Sequence, residues 1–300
     1  MLATFVIGLR EGLEAALIVG IVAAFLRQRG RGDALRMVWV GVGTAVAICL
    51  AIGVSLDVLA RNLPTRAQEG LETVVGLVAV AMVTYMILWM RTHSVGLKRE
   101  LEGAAGSALA SGSAWALVLM AFLAVMREGF ETAVFLLAAF QASSAPASAG
   151  AGALLGILVA VGVGYGIYRG GVRLNLARFF RATGLVLVLV AAGLVMTALH
   201  TGHEAGWINA GQTSVLDLSW LVRPGSVQAS LLTGVLGWRA HPTAIEVAGW
   251  LVYGVPMVLA VALPRRARPA AARTVPPAPP APPALPAPRG PSGSRAGTSR

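Results

Sequence analysis

The sequence predicts an all-α, polytopic membrane protein with seven transmembrane helices. Of its 300 residues, 56% are hydrophobic and 12% are charged, and the mean hydropathy is +0.74, a balance typical of integral membrane proteins. Seven apolar stretches of about 20 residues are each long enough to cross a ~30 Å hydrocarbon layer as a helix. These predicted spans are residues 2–26, 37–56, 71–90, 115–140, 151–168, 179–199 and 244–263.

The first span is expected to remain in the mature protein as a helix. It lacks the basic N-terminal region of a signal peptide, and Arg10, Glu11 and Glu14 lie where the apolar centre of a signal peptide would be. Span 4 has a matching charged interruption, whereas spans 2, 3, 5 and 6 have no charged residue in their central part. Span 7 contains Pro256, which removes a backbone hydrogen bond and predicts a bend.

The distribution of basic residues predicts the orientation in the membrane. Eleven basic residues lie in or beside the loops after spans 1, 3 and 5, against four in the loops after spans 2 and 6. The first set is Arg27, Arg29, Arg31, Arg36, Arg91, Lys98, Arg99, Arg169, Arg173, Arg178 and Arg181, and the second is Arg61, Arg66, Arg223 and Arg239. Because basic loops stay in the cytoplasm, the N-terminus is expected outside and the C-terminus inside. The net charge of +11 therefore belongs to loops and tail and does not indicate a nucleic-acid partner.

A charged pentapeptide occurs twice, near the middle of two spans. R-E-G-L-E at residues 10–14 recurs as R-E-G-F-E at 127–131, 117 residues later. With seven spans the two copies cross the membrane in opposite directions, which predicts a 3+3 inverted repeat of about residues 1–90 and 115–199, with span 7 as an extra helix. The alternative is that the two copies arose independently in helices that pack together.

The chain is divided into a transmembrane domain and a tail. The transmembrane domain covers residues 1–263 and includes a long outer loop, 201–243, before span 7. Residues 264–300 hold 11 of the 16 prolines and little apolar content, so they are predicted to be a disordered Pro/Ala/Arg-rich tail in the cytoplasm. Cys49 is the only cysteine, which excludes a disulfide framework and a multi-cysteine metal site.

The pentapeptides have the chemistry of a cation site. In each copy the two glutamates are three residues apart, so both lie on one helical face, and the arginine precedes the second glutamate by four residues and can pair with it. An ionised side chain at this depth costs about 2.5–3.5 kcal/mol, which favours a functional role. Two arginines and four glutamates give a net charge of minus two, which suits a hard or borderline metal cation. The predicted ligands are Glu11, Glu14, Glu128 and Glu131, the charge-pairing residues Arg10 and Arg127, and the close-packing residues Gly12 and Gly129.

At these residues the chain resembles the high-affinity iron permease family, which includes bacterial EfeU-type and fungal FTR-type permeases. The family's R-E-G-x-E pattern is met at 10–14 and 127–131, and its paired acids at the start of helix 3 resemble Glu69 and Glu72. The resemblance covers about residues 1–263, and the tail lies outside it. It implies a seven-helix fold in the bacterial inner membrane, iron uptake with iron as the transported substrate and no cofactor, and extracytoplasmic partners that oxidise or deliver iron. It also implies that the glutamates of both pentapeptides bind the ion.

Further polar residues near the outer ends of the spans are weaker candidates. Glu69 and Glu72 at the start of span 3, and His200, His203 and Glu204 at the end of span 6, are candidates for the residues that first capture the ion. Each also has an ordinary explanation as a solvated polar residue or, for the acids of span 3, as a favourable charge at a helix N-terminus.

Asp57 and Glu246 also lie near predicted helix ends, and both are expected to face the outer aqueous boundary.

Three other functions remain open at this point. Carboxylates discriminate poorly among divalent cations, so a permease for Mn(II) or Pb(II) fits the same residues, and glutamates that carry only protons would fit a proton-coupled exporter. An intramembrane di-iron enzyme is less favoured, because such bundles add Glu-x-x-His pairs and no span has a central histidine. We therefore expect a transporter and not an enzyme. The sequence has no P-loop motif, so ATP is not expected to drive transport directly.

Overall fold

The structure is a computed structural model that describes residues 1–28, 30, 32–93, 114–143, 145–169, 175–222 and 227–263. Residues 1–263 form one compact unit. The predicted tail, 264–300, lies outside the described residues, and so do residues 94–113 and 170–174 in two of the loops predicted to be cytoplasmic.

The described residues form eight helices and one isolated β-bridge, between Ser214 and Thr243. The helices are α1 (Leu2–Gln28), α2 (Gly32–Arg61), α3 (Thr65–His93), α4 (Ala114–Gln141), α5 (Pro146–Tyr168), α6 (Leu176–Glu204), α7 (Val227–Leu236) and α8 (Ala244–Ala262). The prediction of an all-α chain is confirmed for this part of the molecule. α8 continues through Pro256 to its end.

Each of the seven predicted spans coincides with one of the long helices. Five of these, α2, α3, α5, α6 and α8, are long and apolar enough to cross a membrane. α1 and α4 are 27 and 28 residues long, but each carries three charged residues near its centre, so the count of seven spans stays a prediction. α7 was not predicted. It has 10 residues, about 15 Å of helix, which is too short to cross the hydrocarbon layer.

The helices pack in a small number of extensive pairs. α1 packs most extensively on α5, α2 on α4, α3 on α6, and α6 also on α8. α1 and α4 contact each other along the middle of the unit. Glycines allow these close approaches, because a methyl group at Gly156 of α5 would clash with the backbone at Phe5 and Leu9 of α1.

The largest cluster of buried side chains lies between α1, α3, α4, α6 and α8. Ile7, Phe135 and Leu187 are each 1% exposed and lie at its centre. Many large apolar side chains point outward instead, including Leu158 at 57% exposed and Val252 at 76%. Apolar residues on both the inside and the outside are expected when the surrounding solvent is lipid.

Candidate metal-binding site

The contact between α1 and α4 brings the two pentapeptides together. Glu11 from α1 and Glu128 and Glu131 from α4 each offer one carboxylate oxygen, and these three oxygens lie within 4.8 Å of one another. Glu11 is 1% exposed and Glu128 is 7% exposed. Three carboxylates from two helices therefore converge at one buried point, at a separation that a single metal ion would span.

Arg10 supplies a positive charge beside the cluster and is itself buried, at 1% exposed. Its Nη1 lies 3.7 Å from Oε1 of Glu11, and its Nε lies 3.2 Å from Oε1 of Glu14. Both distances are those of ion pairs, although neither contact has the geometry of a hydrogen bond. Glu14 is thus placed beside Arg10 and lies outside the group of three converging oxygens.

Arg127 occupies the equivalent position in α4, but its surroundings are different. Its Nε lies 3.1 Å from Oε1 of Glu131 and donates a hydrogen bond to it. The guanidinium lies 5.6 Å from the centroid of the Trp89 ring, within the range of a cation–π contact. Half of the Arg127 side chain is exposed, so this arginine lies at the edge of the helix bundle.

Several buried oxygens at the site have no hydrogen-bond partner among the described residues. They are both carboxylate oxygens of Glu11, Oε2 of Glu128 and Oε1 of Glu14. A buried polar group without a partner costs about 1–3 kcal/mol, and a charged one costs more. A bound cation would offset that cost, because each free oxygen would become a ligand.

Gly12 and Gly129 lie at close contacts with neighbouring helices. A methyl group at Gly12 would lie 2.9 Å from Cβ of Ala160 in α5. A methyl group at Gly129 would lie 2.7 Å from Sγ of Cys49 in α2. Neither position has room for a side chain unless its neighbour moves.

A cavity of about 1070 Å³ contains the acidic cluster. Its wall is formed by α1, α2, α3, α4 and α5, and most of that wall is apolar. Glu11 and Glu128 lie on the wall. The other carboxylate and amide side chains on it, Asp57, Gln68, Glu72 and Gln141, come from the end at which α2 and α4 terminate and α3 begins.

Three of the five candidate capture residues form a linked group where α3, α6 and α8 meet. Nε2 of His200 lies 3.3 Å from Glu204, and Nδ1 lies 2.9 Å from Glu246. Glu69 of α3 lies close enough to Glu204 and His200 to interact electrostatically with both. The expectation that Glu246 faces the aqueous boundary is wrong, because its side chain is buried against His200 and also accepts a hydrogen bond from the backbone of Thr243.

The other two candidates lie apart from this group. Glu72 accepts a hydrogen bond of 3.2 Å from Gln68 and lines the cavity. His203 is 2.7 Å from the carbonyl oxygen of Ile208, a contact that closes the turn after α6. In the loop beyond, the hydroxyl and the backbone N–H of Ser219 both donate to Asp217, which holds the pKa of that carboxyl below its usual value.

Two features of the site could not be found from the sequence. Gln141 is the last residue of α4, and both polar atoms of its side chain are buried without a partner among the described residues. Its only signal in the sequence is its place at the end of an apolar stretch, where polar residues are common. Asp57 was expected at the surface but lines the cavity, because α2 packs beside α4 along its length.

Comparison with known proteins gives consistent matches along most of the chain. The model of the Iron permease FTR1 family matches residues 1–271. The ferrous iron permease EfeU of Escherichia coli O6:K15:H31 is 42% identical over 277 residues, which are 92% of this chain and 100% of that protein. The ferrous iron permease EfeU of Yersinia pestis is 43% identical over 283 residues, with coverage of 92% and 100%. No solved structure matches the chain at a significant level.

Proposed function

Because this chain belongs to the iron permease FTR1 family, we propose that it imports iron through the buried site formed by its two R-E-G-x-E segments. The chain is a multi-pass protein of the cytoplasmic membrane. The observation that carries the proposal is the convergence of Glu11, Glu128 and Glu131 within 4.8 Å in a cavity between helices. Oxygen ligands of this kind suit iron as a transported ion, with no cofactor required.

Ferrous iron is the form proposed to cross the membrane. The two relatives described above are named ferrous iron permeases. Carboxylate oxygens bind both Fe(II) and Fe(III), so the donor set is compatible with either ion. Uptake measured with ascorbate-reduced iron and with ferric citrate separates the two forms, and ferrous uptake is expected to be the larger.

The arginines are proposed to compensate the glutamates while the site is empty. Arg10 lies between Glu11 and Glu14, and Arg127 pairs with Glu131. Two arginines and four glutamates leave a net charge of minus two, which a divalent cation neutralises. The arriving ion would bind the converging oxygens of Glu11, Glu128 and Glu131, and the arginines would reduce the repulsion among the carboxylates once the ion has left.

A 3+3 inverted repeat with the N-terminus outside is proposed for the membrane topology. Exchanging α1, α2 and α3 with α4, α5 and α6 converts the α1–α5 pair into the α4–α2 pair and leaves the α1–α4 and α3–α6 pairs unchanged. This exchange supports two equivalent halves related by an axis in the membrane plane, with α8 outside the repeat. In this orientation, Glu69, Glu72, His200, His203 and Glu204 lie on the extracytoplasmic side.

Those outer residues are proposed to receive iron from extracytoplasmic proteins that oxidise or deliver it. His200 and Glu204 from α6 and Glu69 from α3 form the linked group, and Glu246 orients the imidazole through its Nδ1. His203 is a weaker member, because it is engaged with the turn after α6. We propose that residues 1–263 form the permease domain. We also propose that the protein acts as a transporter and not as an enzyme.

Replacement of Glu128 tests the proposal. Glu128→Ala is expected to abolish uptake of radiolabelled ferrous iron, because it removes one of the three converging carboxylate oxygens. Asp217→Ala is the control, since that acid lies on an exposed loop away from the cavity. Both variants must reach the membrane in equal amounts, and full uptake by Glu128→Ala would exclude the assignment.

Competition distinguishes iron from the other cations that carboxylates accept. Mn(II) and Pb(II) are added in excess during the uptake of radiolabelled iron. Weak competition supports a permease selective for iron, whereas uptake of Mn(II) or Pb(II) at the rate of iron indicates a less selective cation permease. A flux that reverses with the pH gradient in vesicles would instead indicate a proton-coupled exporter.

A further inference from the structure

The cavity that contains the acidic cluster is polar at one end and apolar at the other. Asp57 from α2, Gln68 and Glu72 from α3 and Gln141 from α4 line its extracytoplasmic end in the proposed orientation. The opposite end is lined mostly by apolar side chains such as those of Val19, Ala23 and Leu35, with Tyr165 among them. The charged and amide groups of the wall other than the central carboxylates therefore lie at the outer end, and apolar side chains such as Leu136 and Phe140 lie between the two sets.

Gln141 has buried polar side-chain atoms at this end of the cavity that packing alone does not explain. Its Oε1 and its Nε2 are both buried, and neither has a hydrogen-bond partner among the described residues. Each such atom costs about 1–3 kcal/mol, so a carboxamide left in this state needs a ligand or ordered water to offset the cost. Packing does not require a glutamine at this position, since the adjacent lining residues Leu137 and Phe140 are apolar.

Glu72 and Asp57 add carboxylates at the same end. Gln68 donates a hydrogen bond of 3.2 Å to Oε1 of Glu72 from the preceding turn of α3, which fixes the orientation of that carboxylate. Asp57 lies one turn before the end of α2 and also lines the cavity. Two carboxylates and one amide oxygen are hard ligands, of the kind that divalent cations such as Mn²⁺ prefer.

We propose that Asp57, Glu72 and Gln141 form an outer cation subsite that holds the ion before it reaches the central cluster. Ten residues separate Glu131 from Gln141 on α4, which is about 15 Å along the helix axis. The two sites are thus far enough apart for one ion each, and the cavity joins them. The subsite rests on the proposed function, because it supplies the central site with the same class of ion.

Equilibrium binding of Mn²⁺ to the purified full-length protein tests the subsite without transport. The loss of the paramagnetic signal of aqueous Mn²⁺ reports the number of ions bound. Two classes of site are expected in the unaltered protein. Gln141→Leu should lose the outer class of sites and retain the central one. Glu128→Ala should lose the central class and retain the outer one. Two intact classes in Gln141→Leu would overturn the subsite.

A second variant covers the case in which Gln141→Leu does not fold. Gln141→Glu keeps the shape of the side chain and adds a negative charge, so it is expected to bind Mn²⁺ at least about tenfold more tightly at the outer class. Unchanged affinity in Gln141→Glu would contradict the proposal. Because both readouts are binding measurements, they can fail while Glu128→Ala still abolishes uptake.

Iron uptake gives an independent readout that a packing role would not produce. If Gln141 holds the ion on its way inward, Gln141→Leu should raise the KM for iron about tenfold and leave the maximal rate nearly unchanged. Replacement of a residue that only supports the helix end would lower the amount of active protein and thus the maximal rate. A fall in the maximal rate at constant KM therefore overturns the subsite.

Discussion

The two R-E-G-x-E segments have the same local chemistry but different surroundings. Arg10 is 1% exposed and lies beside both glutamates of its own segment, whereas half of the Arg127 side chain is exposed and its guanidinium contacts Glu131 and the Trp89 ring. Glu131 joins the converging oxygens and Glu14 does not. The comparison teaches that a repeated motif determines which acids share a helical face, while the neighbouring helices determine which acids face each other.

The largest difference between the two segments should be in stability. Arg10→Ala leaves Glu11 and Glu14 buried without a countercharge, which is expected to cost about 3–5 kcal/mol in the free energy of unfolding. Arg127→Ala removes the countercharge of Glu131 alone, together with an arginine that is half exposed toward lipid and therefore costly itself, so a smaller loss of about 1–3 kcal/mol is expected. Denaturant unfolding of the purified variants in one detergent gives both values, and equal losses would show that the burial of Arg10 has no energetic consequence.

A smaller difference is expected in metal affinity. Glu131→Ala removes a charged ligand worth about 1.5–3 kcal/mol, or about a 10- to 150-fold loss in the affinity of the central site for Mn²⁺. Glu14→Ala removes an acid outside the converging group and should cost less than about tenfold. Titrations of the purified variants compare them directly. The asymmetry would be refuted by a larger loss in Glu14→Ala.

The smallest difference concerns the two glycines. In Gly12→Ala the new methyl group meets Cβ of Ala160, which cannot rotate away, so a loss of about 1–3 kcal/mol is expected. In Gly129→Ala it meets the thiol of Cys49, which can rotate, so the loss should be smaller. Gly20→Ala is the control, because that position of α1 faces open space and alanine should stabilise the helix by up to about 1 kcal/mol. Unfolding free energies that rank Gly20→Ala with Gly12→Ala would contradict the close contact of α1 and α5.

Much of the helical architecture could be predicted because lipid restricts the choices of the chain. A stretch of apolar residues long enough to cross the membrane must be helical, so all seven predicted spans coincide with helices. The sequence does not predict the short helix α7, because ten residues without a distinct helical periodicity resemble an apolar loop. The prediction for Glu246 is wrong for a related reason: its position near a helix end suggests exposure, but its side chain is buried against His200 of α6 and the backbone of Thr243.

The sequence by itself determined the helices, the two acidic segments and the spacing that puts each pair of glutamates on one face, because these depend on residues within a few turns of one another. Only the tertiary structure decided that Glu11 meets Glu128 and Glu131, that Arg10 is buried and Arg127 is not, and that Gln141 faces a cavity without a partner. Those outcomes depend on how α1, α2 and α4 pack across separations of tens of residues, and no local pattern encodes them.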